Sequence, residues 1–137
     1  RKVLLYGAGG AGKAIAAALL ARGVHTLTLI DRDAGKAAAL CTLLKKSYPQ
    51  AVLGTDNRRI EDYDLLVNAT PVGMRETDPS PIQLDAITPN MFIGCVITAP
   101  AVPPLIAAAR AKGCNTTTGA DMFVQVRELM VAFLLET

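Results

Sequence analysis

The sequence predicts an α/β fold, a doubly wound parallel sheet of about six strands with helices on both faces. Short aliphatic or β-branched runs alternate with longer segments in which apolar residues recur at helical spacing, the pattern of repeated strand–helix–strand units. The composition is 51% hydrophobic but only 4% aromatic, which suits a sheet covered on both sides. With 137 residues, the chain has the size of one domain.

Glycines and an aspartate mark the ends of predicted strands and helices in the first half of the chain. The first apolar run stops at Gly7, and Gly23 ends the helical segment that follows it. The second run ends at Asp31, and its helix closes near Pro49. The predicted elements are strands over 3–6 and 26–30, helices over 11–21 and 34–47, and two further strands over 51–53 and 64–68.

Prolines mark a loop and the start of a helix in the second half of the chain. A Pro-rich loop over 71–89 contains one short helical turn at 82–87. Pro103 and Pro104 suit the first turn of a helix because their φ is fixed, and Gly113 ends that helix. The predicted elements are strands over 91–97 and 114–117 and helices over 105–112 and 121–135.

Charge and cysteine content argue against several kinds of partner. The net charge is +2, and the doublets at 45–46 and 58–59 are too short and scattered for a nucleic-acid surface. No apolar stretch is long enough to span a bilayer, so we expect no membrane partner. Three cysteines without a CxxC pair indicate neither a disulfide framework nor a metal site, and we expect free thiols in the cytoplasm.

Gly7, Gly9 and Gly12 form the pattern GxGxxG between the first predicted strand and helix. Gly7 would permit a tight turn, Gly9 the approach of a pyrophosphate, and Gly12 close packing of helix on strand. Asp31 follows about 20 residues later, where a carboxylate can accept hydrogen bonds from an adenosine ribose. The segment predicts a Rossmann-like dinucleotide site at the helix N-terminus.

The same loop is close to a P-loop. Residues 7–13 spell GxxxxGK, but Ala14 stands where a P-loop requires Ser or Thr to ligate Mg²⁺. The dinucleotide site is therefore favoured over a nucleoside-triphosphatase. A glycine turn that binds no ligand stays open as an alternative, because Rossmann-type domains host unrelated functions.

Three blocks resemble the shikimate/quinate dehydrogenase family: GAGGAGKA at 7–14, NATPVGM at 68–74 and GADMFVQ at 119–125. They follow the family's order and spacing and cover nearly the whole chain. The resemblance implies an NAD(P)-binding domain over 1–137 in an oxidoreductase. That enzyme would pass hydride between its cofactor and a polyhydroxy cyclohexene or cyclohexane carboxylate, such as shikimate or quinate.

The resemblance also implies site residues. The glycine loop would hold the diphosphate through backbone N–H groups, and Asn68, Thr70 and Pro71, with Val72 close by, would form the wall of the cofactor cleft. Gly119 and Met122 would border the nicotinamide ring, and Gln125 would reach the substrate's hydroxyls. Met122 equally fits core packing, and Gln125 an exposed helix position. The predicted cofactor-binding residues are Gly7, Gly9, Gly10, Ala11, Gly12, Asp31, Arg32, Asn68, Thr70, Pro71, Val72, Thr98, Gly119 and Met122.

The chain departs from the family pattern after the fifth strand. Thr98 replaces a tyrosine that contacts substrate in the family, so the identity of the substrate stays open. The family's catalytic Lys and Asp lie in segments that have no match here. We therefore assign no catalytic residue, expect a substrate domain upstream of Arg1, and expect the fragment alone to be inactive. Lys13 and Asp121 match no catalytic position, and His25 is expected at the surface.

Residues 31–33 read Asp-Arg-Asp where NADP-using members commonly have Asn-Arg-Thr. The Asp31 carboxylate would accept bonds from a free ribose diol and repel a 2′-phosphate, which favours NAD. Arg32 leaves NADP open, and Asp33 fits an N-cap as well as a cofactor contact. The alternative function is a non-catalytic nucleotide-binding or redox-sensing module. We further expect a small-molecule substrate shared with the missing domain, and homo-oligomerisation stays open.

Overall fold

Six parallel strands form one sheet in the computed structural model, which describes residues 2–56, 59–70, 84–96, 102 and 104–118. The strands are β1 Lys2–Tyr6, β2 Thr26–Ile30, β3 Val52–Gly54, β4 Leu65–Asn68, β5 Phe92–Cys95 and β6 Asn115–Thr117. Their order across the sheet is β3-β2-β1-β4-β5-β6. The order in which successive strands are added to the sheet thus reverses between β1 and β4, which confirms the predicted doubly wound, Rossmann-like sheet.

The described helices are α1 Gly10–Ala21, α2 Ala34–Ser47 and α3 Pro104–Ala111. All three agree with the predicted helices to within one residue at each end. Two short 3-10 turns, Ile60–Asp62 and Leu84–Ala86, precede β4 and β5. The second falls inside the turn predicted at 82–87, whereas the first was not predicted because three residues carry no helical periodicity. The predicted helix over 121–135 lies outside the described residues.

The strands alternate their side chains between two apolar clusters, one on each face of the sheet. Val3 and Leu5 of β1 lie in the cluster that includes Ile15 of α1 and Leu40 of α2. Leu4 lies in the other cluster, together with residues of α3. Helices therefore cover both faces, as predicted. Because both faces are buried, the strands are nearly continuous aliphatic runs.

Parallel pairing aligns the carboxyl ends of three neighbouring strands. Tyr6, the last residue of β1, is in register with Ile30 of β2 and Asn68 of β4. The hydrogen bonding continues past the strand ends, since the Gly7 N–H donates to the Ile30 carbonyl at 2.7 Å and the Ala69 N–H to the Tyr6 carbonyl at 2.7 Å. The segments that follow β1, β2 and β4 consequently meet at one edge of the sheet.

Helix α1 packs against the preceding turn too closely for a side chain at Gly12. A Cβ placed there would lie 1.9 Å from the Gly7 carbonyl oxygen. Gly7 itself has φ +111°, a conformation that L side chains rarely adopt. Both glycines therefore have the structural roles predicted for them. No helix among these described segments is long and apolar enough to cross a bilayer.

We expect Gly12→Ala to lower the free energy of unfolding by about 1–3 kcal/mol, because α1 must move away from the Gly7 carbonyl. Gly10→Ala is the matched control. A Cβ at Gly10 meets nothing within 4 Å, and alanine favours helix by up to about 1 kcal/mol. Urea unfolding followed by circular dichroism measures both variants. Equal stability of the two variants would contradict the packing argument.

Candidate dinucleotide-binding site

Three chain segments meet where the strand order reverses. They are the glycine loop (residues 7–12, after β1), the segment 31–33 after β2, and the turn 68–70 at the end of β4. In open α/β sheets, ligands bind outside the carboxyl ends of the strands at this kind of switch point. The described residues with a predicted cofactor role all lie in these three segments.

The glycine loop presents bare backbone at the start of α1. Gly9 is the N-cap of α1, and no acidic residue lies in the first turn. A Cβ added to Gly9 or Gly10 would meet nothing within 4 Å, so the space beside this backbone is open to a ligand. The first N–H groups of a helix have no intrahelical acceptor and carry partial positive charge. This arrangement fits an anionic diphosphate.

The carboxylate of Asp31 lies between the glycine loop and the start of α2. Its Oδ1 accepts a hydrogen bond from the Asp33 N–H at 2.8 Å, and its Oδ2 accepts one from the Ala8 N–H at 2.8 Å. These two bonds, in that order, lower the pKa of Asp31 below its ordinary value, and the charges of Lys36 and Arg32 add to the effect. The group is ionised at neutral pH, and its remaining lone pairs can accept ribose hydroxyls.

Asp33 caps α2. Its Oδ1 accepts hydrogen bonds from the Gly35 N–H at 2.9 Å and the Lys36 N–H at 3.3 Å. Of the two roles that the sequence left open for Asp33, the structure assigns the N-cap. Arg32, between the two aspartates, is exposed. Its side chain is therefore accessible to a bound nucleotide.

The side chain of Asn68 turns inward and shapes the turn after β4. Asn68 is 1% exposed, and its Oδ1 accepts bonds from the Thr70 N–H at 3.1 Å and the Thr70 hydroxyl at 2.6 Å. Its Nδ2 donates to the Cys95 Sγ of β5 at 3.6 Å. The predicted place of Asn68 in the wall of the cofactor cleft stays a prediction, and these bonds show that its side chain fixes the shape of the turn.

The turn 68–70 also touches the glycine loop. A Cβ built on Gly7 would lie 2.9 Å from the Ala69 carbonyl oxygen and 3.0 Å from the Thr70 Cγ2. The loop is thus held between the segment after β2 on one side and this turn on the other. The first two blocks that resemble the family, which begin at Gly7 and Asn68, meet through this contact.

An open pocket of about 310 Å³ lies between the glycine loop and α2. Two cationic side chains, Lys13 and Lys36, border it, and its remaining lining residues are Ala8, Gly9, Ala39, Leu40 and Leu43. Lys13 matched no catalytic position of the family, and neither Lys36 nor the Ala8 N–H was among the predicted site residues. Lys36 could have been predicted as a site residue from its position in the first turn of α2, directly after the segment 31–33.

Several predicted site residues lie outside the described residues, and their roles stay predictions. These are Pro71, Val72, Thr98, Gly119, Met122 and Gln125. His25 precedes β2, and its carbonyl accepts from the Val52 N–H at the opposite edge of the sheet. Within the part of the chain that the structure describes, no group of three or more His, Cys, Asp or Glu side chains could hold a metal ion.

Comparison with known proteins identifies relatives of nearly the whole chain. The quinate/shikimate dehydrogenase (NAD(+)) of Corynebacterium glutamicum strain R is 37% identical over 140 residues, covering 98% of this chain and 49% of that protein. The shikimate dehydrogenase (NADP(+)) of Rhodospirillum rubrum is 37% identical over 125 residues, covering 88% and 44%. The chain spans about half the length of the curated relatives it matches.

Solved structures are similar to this chain over most of its length. Quinate dehydrogenase from Corynebacterium glutamicum in complex with NAD superposes with a TM-score of 0.81 at 31% identity, covering 96% of this chain and 55% of that one. The ligand-free 5-ketofructose reductase of Gluconobacter sp. strain CHM43 has a TM-score of 0.79 at 28% identity, covering 92% and 47%. The model of the shikimate/quinate 5-dehydrogenase family matches residues 1–74. The chain belongs to the shikimate/quinate 5-dehydrogenase family.

Proposed function

We propose that this chain binds a nicotinamide dinucleotide and orients it for hydride transfer in a shikimate/quinate-type dehydrogenase. The observation that carries the proposal is the meeting of the open glycine loop, the ionised Asp31 and the turn 68–70 at the switch point between β1 and β4. A relative with the same fold is a quinate dehydrogenase in complex with NAD. The donor groups and the open space beside Gly9 fit such a cofactor.

Each segment would have a distinct task. The backbone N–H groups at the start of α1 bind the diphosphate, and Asp31 accepts hydrogen bonds from the adenosine ribose. The turn 68–70 forms the wall on the nicotinamide side, since it lies on the β4 side of the loop. The bound nicotinamide supplies the hydride chemistry, and the protein supplies binding and orientation.

We propose that a second domain supplies the substrate site and the groups that transfer the hydroxyl proton. The catalytic lysine and aspartate implied by the family resemblance have no match in this sequence. Relatives named quinate/shikimate or shikimate dehydrogenase are about twice as long as the matched region. The substrate would be shikimate, quinate or a related ring carboxylate, held between the two domains and reached from this side by Gln125.

The alternative of a non-catalytic nucleotide-binding or redox-sensing module is not favoured. The relatives of nearly the whole chain are named as dehydrogenases, with NAD in some cases and NADP in others. A redox sensor that acts through a cysteine would need a reactive thiol at the site. Cys95 is buried beneath the turn 68–70, where its sulfur accepts from Asn68, so it is poorly placed for that role.

The proposed compartment is the cytoplasm. Cys41, Cys95 and Cys114 form no disulfide, and Cys95 and Cys114 are buried, as expected in a reducing environment. Burial raises the pKa of the Cys41 and Cys114 thiols, which keeps them protonated and unreactive.

We expect Gly9→Val to abolish NAD binding while the chain stays folded. A valine side chain would fill the space that the diphosphate needs, yet nothing lies within 4 Å of the new Cβ to disturb packing. Calorimetric titration with NAD measures binding, and circular dichroism with urea unfolding measures the fold.

Ala107→Val is the matched control for that experiment, because it places a valine on the exposed face of α3, which packs on β5 and β6. Its NAD affinity should equal that of the parent. Undiminished binding by a folded Gly9→Val variant would refute the assignment of the loop to the diphosphate.

We expect the parent to bind NAD more tightly than NADP, because a 2′-phosphate would lie against the ionised Asp31. Asp31→Asn should shift the ratio of the two affinities toward NADP by about 1–2 kcal/mol. Dissociation constants for both cofactors at one ionic strength test this. Asp33→Asn, which keeps a helix-capping residue, should change the ratio less. Tighter NADP binding by the parent would contradict the proposed preference.

We expect the 137-residue chain alone to bind reduced nicotinamide dinucleotide but not to turn over shikimate or quinate, since no residue here matches the family's proton-transfer groups. Cofactor fluorescence measures binding, and cofactor reduction in the presence of shikimate or quinate measures turnover. Substrate-dependent reduction by the isolated chain would show that the proposed division between two domains is wrong.

A further inference from the structure

The glycine loop has no polar side chain of its own to fix its shape. Residues 7–12 are all glycine or alanine. Main-chain bonds anchor the two ends of the loop, from the Gly7 N–H to the Ile30 carbonyl at 2.7 Å and from the Lys13 N–H to the Gly9 carbonyl at 2.9 Å. Ala8 lies between these two anchors. Its N–H bonds to a group from another segment of the chain, and this bond fixes the backbone position of Ala8.

That group is the carboxylate of Asp31, whose Oδ2 accepts the Ala8 N–H at 2.8 Å. Ala8 is only 3% exposed, so water is poorly placed to replace this acceptor. A buried N–H without an acceptor is costly, and the loop would have to change shape to satisfy it. The other oxygen, Oδ1, holds the Asp33 N–H at 2.8 Å, which fixes the orientation of the carboxylate.

We propose that Asp31 is a positioning residue for the diphosphate, in addition to its expected contact with the ribose. By holding Ala8 against the segment 31–33, Asp31 aims the free N–H groups of the following loop residues at the diphosphate. The inference rests on the proposed function, since it assumes that the glycine loop binds a diphosphate. It assigns to Asp31 an effect on ligands that have no ribose.

The two roles predict opposite results for an anion without a ribose. If the carboxylate acted only through its charge, its removal would strengthen the binding of inorganic pyrophosphate, because one nearby negative charge is lost. If the carboxylate positions the loop, its removal weakens that binding. The charged neighbours are the same in both cases: Lys13, Arg32, Asp33 and Lys36 all stay in place.

The test measures binding of inorganic pyrophosphate to the parent chain, Asp31→Ala and Asp33→Asn by calorimetric titration at pH 7. Asp31→Ala removes both acceptor oxygens, and we expect its affinity to fall about tenfold or more, the scale of a lost charged hydrogen bond. Asp33→Asn removes an equal charge two residues away but keeps the cap on α2. Its affinity should stay unchanged or rise slightly.

Hydrogen exchange of the Ala8 amide gives a readout that needs no ligand. The Ala8 amide should be protected in the parent and in Asp33→Asn, and should exchange about tenfold faster or more in Asp31→Ala. Circular dichroism and urea unfolding establish that each variant is folded. If Asp31→Ala does not fold, Asp31→Leu replaces it. Leucine has a similar shape but no acceptor oxygen for either N–H group, so the expected effects keep the same direction.

Pyrophosphate binding by a folded Asp31 variant that is as tight as in the parent or tighter, despite loss of Ala8 protection, would overturn the proposal. Unchanged Ala8 exchange in Asp31→Ala would overturn it as well. Failure of the proposed function has a different signature, namely a parent that binds neither NAD nor pyrophosphate. In that case the exchange of the Ala8 amide alone decides whether Asp31 holds the loop.

Discussion

The register of three parallel strands is the constraint on which the site depends. β1, β2 and β4 end side by side at Tyr6, Ile30 and Asn68, and the main-chain bonds of Gly7 and Ala69 extend the pairing by one more residue. Because buried backbone groups need partners, none of the three following segments can slide without breaking ladder bonds. The meeting of these segments is therefore a consequence of sheet pairing.

Small residues then allow these segments to come closer than side chains would permit. Gly12 brings α1 against the Gly7 carbonyl, and Gly7 leaves room for Ala69 and Thr70. The absence of side chains at these positions makes the loop compact. It also means that the loop has no side-chain hydrogen bonds of its own to hold its backbone in one conformation. Hydrogen bonds from outside the loop take over this task, and the carboxylate of Asp31 supplies one of them.

Electrostatics at this edge combines attraction and discrimination. The N-terminus of α1 and the side chains of Lys13 and Lys36 favour an anion in the pocket beside Gly9. Asp31 contributes a negative charge close to them, and its bonds from Asp33 and Ala8 hold its pKa low. In the proposed function, the loop would accept a diphosphate while Asp31 would oppose a further phosphate on the ribose. The carboxylate of Asp31 takes part in both effects, since it bonds the Ala8 N–H of the loop and lies where the ribose is expected.

The sequence alone predicted the fold class, the three described helices, all six strands and the family. These depend on local information: aliphatic runs that suit buried parallel strands, apolar spacing in α1 and α2, and glycines at the turns. Even the roles of Gly7 and Gly12 follow from the spacing of the motif, because glycine is tolerated where a Cβ would collide. Strand bounds shifted by a residue or two, as at β3, since pairing with β2 fixes them.

What the tertiary structure decided is which atoms these residues use. The sequence placed Asn68 in a cleft wall, but packing buries its side chain, so the amide bonds Thr70 and Cys95 instead. From the sequence, Asp33 fitted either a helix N-cap or a cofactor contact, and the hydrogen bonds at the start of α2 show that it is the N-cap. The sequence predicted a ribose contact for Asp31 but no link to Ala8, which is 23 residues away along the chain. Contacts of this kind depend on distances across the sheet, which only strand order and register determine.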